Sequence, residues 1–301
     1  MVFYVVHDMA HGLKHSAAKR LPEWLKKPAG PLGRLHAMKK VLRERGLHTV
    51  CESARCPNIG ECFTKPTATF LILGDVCTRR CGFCAVDKLN APTALDPDEP
   101  GNVALAAREL GLKHAVVTSV TRDDLADGGA GQFALTIRAL KDTISGIFVE
   151  VLTPDFEADF KALDLVLDAR PHIFNHNVET VRRLYPTVRP KADYAASLSV
   201  LERAAESGVV AKSGLMVGFG ETVDEVKEVL SDLKSAGCRI VTIGQYLRPT
   251  KKSLEVAEYV APEVFTEYEK HGIEIGIEHV YSGPLVRSSY NAGEVWKNFT
   301  A

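Results

Sequence analysis

From residue 68 onward the chain alternates between two hydrophobic patterns. Short apolar runs at Ala68–Leu73, His114–Ser119, Ile147–Leu152, Ile173–Asn177, Val209–Val217 and Ile240–Leu247 predict strands. Between them, apolar residues recur every three to four positions. That spacing predicts helices over Val103–Leu112, Gln132–Thr143, Phe156–Leu167, Val178–Leu184, Tyr194–Ser207 and Val223–Ala236, with Pro262–Lys270 the last clear one. Strands that are apolar throughout, each followed by a helix, indicate a parallel sheet covered on its outer face. Six strand–helix units predict an α/β fold, a partial (β/α)6 barrel of the TIM type.

The flanks read differently. Pro22, Pro28, Pro31 and nearby glycines make residues 1–33 a leader and extended linker. Leu35, Met38 and Leu42 share one face of a helix over Arg34–Arg45, which Gly46 can end. His7, His11 and His15 would also share a helix face, and a polar face or disorder is the reading preferred over a metal site. Glu278–Ala301 reads as irregular.

Composition adds bounds. With 46% hydrophobic and 25% charged residues over 301 positions, the chain is ordinary for a soluble globular protein with a core of its own. No apolar run approaches the ~20 residues of a membrane helix, and the opening Met-Val-Phe-Tyr-Val-Val is too short for a secretory signal. A cytoplasmic location with no membrane association is expected. Net charge is −1, which gives no reason to expect nucleic acid. Residues 1–50 nevertheless carry ten Lys/Arg against Asp8, Glu23 and Glu44, leaving the remainder at −8. A solvated helix face is the preferred reading of that asymmetry, with docking of an acidic partner the alternative.

The candidate chemistry lies in six cysteines between Cys51 and Cys84: Cys51-x4-Cys56-x5-Cys62, then Cys77-x3-Cys81-x2-Cys84. A zinc ribbon would show paired C-x2-C spacings, and a secreted disulfide framework would not carry an odd total of seven. Iron–sulfur clusters are held by thiolates, usually four. A three-cysteine set leaves one iron position open for chemistry. The second set begins just past a strand end, where barrels of this type carry their active sites. Cys238, between Gly237 and a β-rich run, reads as a small buried hydrophobe.

The second set, with the aromatic Phe83 before its last cysteine, resembles the signature of radical S-adenosylmethionine (SAM) enzymes. Cys51-Glu-Ser-Ala-Arg-Cys56-Pro-Asn-Ile-Gly-Glu-Cys62 resembles the auxiliary-cluster motif of the lipoyl synthase family, and Arg287-Ser288-Ser289-Tyr290 is similar to that family's R-S-S-Y motif. The three occur in the family's order, and the similarity spans about Leu21 to Tyr290. The resemblance implies two [4Fe-4S] clusters and SAM as cofactors. It places Cys77, Cys81 and Cys84 on the cluster that binds SAM, with Phe83 near the adenine. It places Cys51, Cys56 and Cys62 on an auxiliary cluster, with Ser289 as its fourth ligand.

The implied reaction is insertion of two sulfur atoms at C6 and C8 of a protein-bound octanoyl chain, with the auxiliary cluster as sulfur donor and two SAM cleaved per product. Implied partners are octanoylated lipoyl carriers (the glycine-cleavage H protein and the E2 lipoyl domains of 2-oxoacid dehydrogenases), a ferredoxin or flavodoxin reductant, and an iron–sulfur carrier that rebuilds the cluster. The implied organisation is an N-terminal extension over 1–66 bearing the auxiliary motif, a barrel over 67–260, and a C-terminal extension over 261–301 carrying the serine, with the extensions covering the open face. The alternatives are another radical SAM enzyme with an auxiliary cluster and a non-catalytic iron–sulfur or zinc scaffold.

Strand-end polar residues complete the candidates. Thr118, Ser119, Asp123 and Asn177 are expected to contact SAM, and Arg122, Glu150, Glu179, Lys212, Gln245 and Arg248 are further candidates for SAM or substrate. His176, alternating with Asn175 and Asn177, is expected to point away from them. Gly218-Phe-Gly220-Glu-Thr222 reads as a backbone turn lining the site, with nucleoside triphosphate binding excluded.

Overall fold

The computed structural model describes residues 20–26, 32–62, 67–88 and 90–289. The His7/His11/His15 face, Pro28, Pro31 and Tyr290 lie outside them. Helix α1 (Leu32–Glu44) buries Met38 and Leu42, and Gly46, at φ +66°, lets the chain turn out of it. Strand β1 (His48–Thr49) and two single-turn helices, α2 (Val50–Ser53) and α3 (Ile59–Cys62), lead into β2 (Thr67–Ile72). Next come α4 (Glu99–Glu109), β3 (His114–Ser119), α5 (Ala130–Thr143), β4 (Phe148–Leu152), α6 (Phe160–Asp168) and β5 (Ile173–Asn175). The chain ends with α7 (Tyr185–Val188), α8 (Tyr194–Glu206), β6 (Val210–Val217), α9 (Val223–Ser235), β7 (Ile240–Gln245), α10 (Pro262–Glu274) and β8 (His279–Gly283).

The eight strands form one sheet in sequential order. Strands β2 to β8 run parallel, and β1 adds antiparallel to β2. Strands β1 and β8 are its two edges, so the barrel is open. The expected α/β partial barrel is present, with a seventh parallel strand where residues from Glu278 onward were expected to be irregular. His279-Val-Tyr-Ser-Gly283 buries only Val280 well, because an edge strand has a single paired neighbour. Its hydrophobic signal is correspondingly faint.

Two predicted helices are also displaced. Phe156, Glu157 and Ala158 take positive φ angles of +48°, +53° and +58°, so the helix expected from Phe156 starts at Phe160, with Asp159 as its N-cap. Val178–Leu184 is not a helix. Glu179 at φ +67° bridges to Leu215, its N–H donating to Gly214 O and its O accepting from Met216 N–H, before a 3-10 turn at Arg182–Leu184.

Alternation along the strands sorts their side chains between the helices and the barrel interior. Val149, Val151, Phe174, Ala211, Val241 and Ile243 join the main core under the helices. Inside, Phe148, Ile173, Val210 and Ile240 form a separate apolar cluster at the strands' N-terminal ends. Two residues further on lie Glu150, Asn175, Lys212 and Thr242, all buried polar residues. Two further on again, β6 and β7 carry Gly214 and Gly244. The floor is therefore apolar and the middle layer polar, and near the mouth two strands have no side chain at all.

Candidate iron–sulfur and cofactor site

The Cys77–Cys84 loop leaves β2 through Leu73 (φ +69°) and Gly74 (φ +86°) and is fastened at nearly every residue. Cys77 N–H donates to Asp87 O at 2.8 Å, and Thr78 N–H to Thr121 O at 3.0 Å. Gly82 N–H donates to Val188 O at 2.9 Å, while Gly82 O accepts from Leu254 N–H at 2.9 Å. Gly82 is required by close approach, since a Cβ there would lie 3.3 Å from Thr187 O and 2.7 Å from Leu254 Cδ1. Lys88 Nζ donates to Cys81 O at 2.6 Å. Arg79, buried inside the loop, is held by two carboxylates. Its Nε and Nη2 reach Asp123, both at 2.9 Å, and Nη1 and Nη2 reach Asp155 at 2.6 and 2.7 Å. The loop is thereby tied to the ends of both β3 and β4.

The first cysteine set spans α2 and α3. Cys56 N–H donates to Cys51 O at 3.0 Å, Arg55 (φ +52°) makes the reversal, and Cys62 N–H closes α3 on Asn58 O at 2.9 Å. The three thiols act on one another: a hydrogen bond with Cys56, then burial, then the charges of Cys56 and Cys62 push Cys51 well above the ordinary thiol range. In the second set burial pushes Cys81 up to about 11 and also raises Cys84, with the Cys77 charge adding to both shifts. All six are free and half-buried. Thiols raised in this way ionise beside a strongly cationic centre, the condition that a cluster held on three thiolates would supply.

The C-terminal segment comes back to the first set. Pro284 O accepts from Gln245 N–H at 3.3 Å, and Leu285 O accepts from Asn58 Nδ2, inside the Cys56–Cys62 span, at 2.7 Å. Burial lowers the affinity of Arg287 for its proton, and the nearby Cys56 opposes that shift. Ser288 sits in the barrel, its O 2.6 Å from Lys212 Nζ and its Oγ 2.7 Å from Asn177 Nδ2. Ser289 follows, half-buried.

The strand-end candidates divide. Asn177 binds Ser288 and Glu179. Asp123 spends its carboxylate on Arg79 and Thr78. Thr118 Oγ1 donates to Leu152 O at 2.8 Å, and Ser119 Oγ is buried with no hydrogen-bond partner among the described residues. Phe83 is half-buried beside Cys84. Arg122 binds Asp124 and Leu73 O, and Arg248 binds the loop at Lys251–Glu255. Gln245 Nε2 donates to Val217, Tyr246 and Glu258 carbonyls. Glu150 and Lys212 pair at 2.7 Å with no side-chain exposure. His176 Nδ1 lies 2.9 Å from Thr153 O, apart from the Asn175 and Asn177 contacts. In the Gly218–Thr222 turn, Glu221 accepts from Gly218 and Phe219 N–H, filling the anion-sized recess with the chain's own carboxylate.

Sequence reasoning missed Arg79, Asp155 and Asn58. Arg79 carried a usable signal: an arginine inside a loop that must bury its cysteines needs a carboxylate partner.

A profile of the radical SAM superfamily matches residues 71–233, and one of the N-terminal domain of lipoyl synthase matches residues 7–56. The chain is 56% identical over 277 residues to lipoyl synthase of Rubrobacter xylanophilus, covering 91% of this chain and 85% of that one. The chain belongs to the lipoyl synthase family. Lipoyl synthase of Thermus thermophilus is 49% identical over 299 residues, 98% of this chain and 93% of that one. Among solved structures, methylornithine synthase shares the fold at 11% identity with a TM-score of 0.53, covering 86% of this chain and 84% of that one. The FeFe-hydrogenase maturase HydG from Carboxydothermus hydrogenoformans does so at 15% identity and 0.55, covering 78% and 66%.

Proposed function

We propose that this chain is a lipoyl synthase that inserts two sulfur atoms, at C6 and C8, into an octanoyl group carried on a lipoyl carrier protein. The observation that carries the reading is the return of the C-terminal segment to the first triad and to the barrel, where Leu285 O accepts from Asn58 Nδ2 and Ser288 O from Lys212 Nζ. Unactivated C–H bonds lie beyond any side-chain base, so radical chemistry from a cofactor is required. When bound, the cluster on Cys77, Cys81 and Cys84 supplies the electron that cleaves SAM to a 5′-deoxyadenosyl radical, and the auxiliary cluster supplies the sulfur.

The chain's own residues position these groups. The Arg79 clamp and the Gly82 contacts fix the Cys77–Cys84 loop, and Ser119 is assigned to SAM. Phe83 is assigned to the adenine. Cys51, Cys56 and Cys62 hold the auxiliary cluster, with Ser289 as its fourth ligand. The carriers are the H protein and E2 lipoyl domains, the reductant is a ferredoxin or flavodoxin, and an iron–sulfur carrier rebuilds the cluster. No helix among the described residues is long and apolar enough to cross a membrane, and the reading places the enzyme in the cytoplasm.

The test is the intact mass of an octanoylated carrier after anaerobic incubation with reconstituted protein, SAM and reductant. The expected gain is two sulfur atoms, less two hydrogens once the dithiol closes. Unchanged carrier with accumulating 5′-deoxyadenosine would remove the substrate assignment and leave the radical half. No change in either, in protein with full iron, would favour a non-catalytic scaffold.

A further inference from the structure

Two side chains in the barrel, Lys212 and Asn177, converge on Ser288. Lys212, on β6, points its Nζ at Ser288 O (2.6 Å) while Glu150 on β4 holds the same nitrogen at 2.7 Å. Asn177 exchanges two hydrogen bonds with Ser288 Oγ, donating at 2.7 Å and accepting at 3.1 Å. The strand backbones make room. A Cβ on Gly214 would lie 3.2 Å from Ser288 Oγ, and one on Gly244 would lie 2.1 Å from Val286 O. Burying an ion pair costs several kcal/mol of desolvation per ion, so such pairs are poor devices for stability alone. Here the buried lysine spends a further hydrogen bond on a main-chain carbonyl of the C-terminal segment.

We propose that Lys212 and Asn177, with Glu150 behind Lys212, are positioning residues that seat the 286–288 segment and so fix the backbone from which Ser289 extends. The proposal rests on the reading of Ser289 as a cluster ligand. Three hydrogen bonds reach this segment from distant parts of the chain, one from Lys212 and two with Asn177, and a fourth, from Asn58, holds Leu285 O just before it. The serine is thereby pre-placed before any cluster is built, which lowers the ordering cost of its ligation.

The test uses full-length protein in two states. In the metal-free protein, hydrogen–deuterium exchange of peptides covering 284–289 is compared across Asn177→Ala, Gly244→Ala, Lys212→Met and Lys212→Arg. Lys212→Met strands the Glu150 carboxylate and risks unfolding, so Glu150→Gln/Lys212→Met and Gly244→Ala, which crowds Val286 O and leaves the ion pair intact, keep the question answerable. Exchange of this segment is expected to rise roughly tenfold or more in Asn177→Ala, Gly244→Ala and the paired variant, and less in Lys212→Arg, while β7 peptides keep their protection. In reconstituted protein, the Mössbauer signature of the auxiliary cluster is expected to move toward that of Ser289→Ala. Parental exchange and a parental signature in all variants would overturn the proposal. A Ser289→Ala signature identical to the parent, with exchange still raised in the seat variants, would instead overturn the ligand reading. The seat would then be a plain anchor.

Discussion

Arg79 and Asp155, 76 positions apart, meet as a two-pronged ion pair with both oxygens engaged. Asp155 stands at the head of a turn in which three successive residues hold positive φ, a conformation that persists only where the surroundings impose it. The pair thus holds the cysteine loop and the turn after β4 against each other. Removing one partner of a buried pair typically costs about 3–5 kcal/mol, because the other charge is left unpaired. Arg79→Ala should lose stability of that order in urea denaturation. Arg79→Lys keeps the charge without the fork and should fall between. Both should slow 5′-deoxyadenosine formation, through the displaced loop. Equal stability of Arg79→Ala and parent would remove the clamp.

Acid should undo the same region in two stages. Burial lowers His176 to about 4, so the folded chain refuses a proton that the unfolded chain accepts near 6.5. Stability from this group is full above the unfolded value and is lost as pH falls through 4. Burial pushes the Asp155 carboxyl up, but the Arg79 hydrogen bonds and neighbouring charges hold it at about 2. Its share, on the order of 2 kcal/mol, is present above pH ~4 and disappears toward 2. Denaturation midpoints measured from pH 7 to 3 should decline throughout, and His176→Gln should flatten the upper part of the curve. A parental slope in that variant would place the proton uptake elsewhere.

The six central strands and the cysteine chemistry were legible because both are local signals. His114–Ser119 is a strand over the expected residues, and each triad is written within a dozen positions. What escaped was set by distant partners. The Arg79–Asp123 ion pair joins residues 44 positions apart, which no local pattern announces. Strand β8 exists because β7 offers an unpaired edge, which no pattern within its own five residues announces. Glu179's positive φ, forced by its bridge to β6, cancels a helix that local periodicity favoured.

Glu221 fills the recess that its loop would otherwise offer to an anion. It accepts from Gly218 N–H at 2.5 Å and Phe219 N–H at 2.9 Å. Glu221→Ala leaves two donors without a protein partner and should cost about 1–3 kcal/mol. Glu221→Gln, which retains one acceptor oxygen, should cost less. Gly218→Ala tests the same turn from the backbone: at φ +109° a Cβ would lie 2.7 Å from Glu258 O, so thermal stability should fall more than in Glu221→Gln. Nucleotide binding newly acquired by Glu221→Ala would show that the recess is a functional anion site held closed.

Cys238 stands apart from the six cysteines of the two triads. It is 1% exposed, its N–H closes the turn after α9 on Leu233 O, and burial alone pushes its thiol up to about 12. Nothing cationic offsets that shift, so the residue behaves as a small apolar side chain. Cys238→Ala should leave iron and sulfide per chain after reconstitution at parental values and cost about 1 kcal/mol in denaturation. Cys56→Ala should remove roughly half the iron, since one of two clusters loses a thiolate. Cys238→Ser buries a hydroxyl where no acceptor was needed and should destabilise more than alanine. If Cys238→Ala lowered iron as Cys56→Ala does, the division into two triads and one packing cysteine would fail.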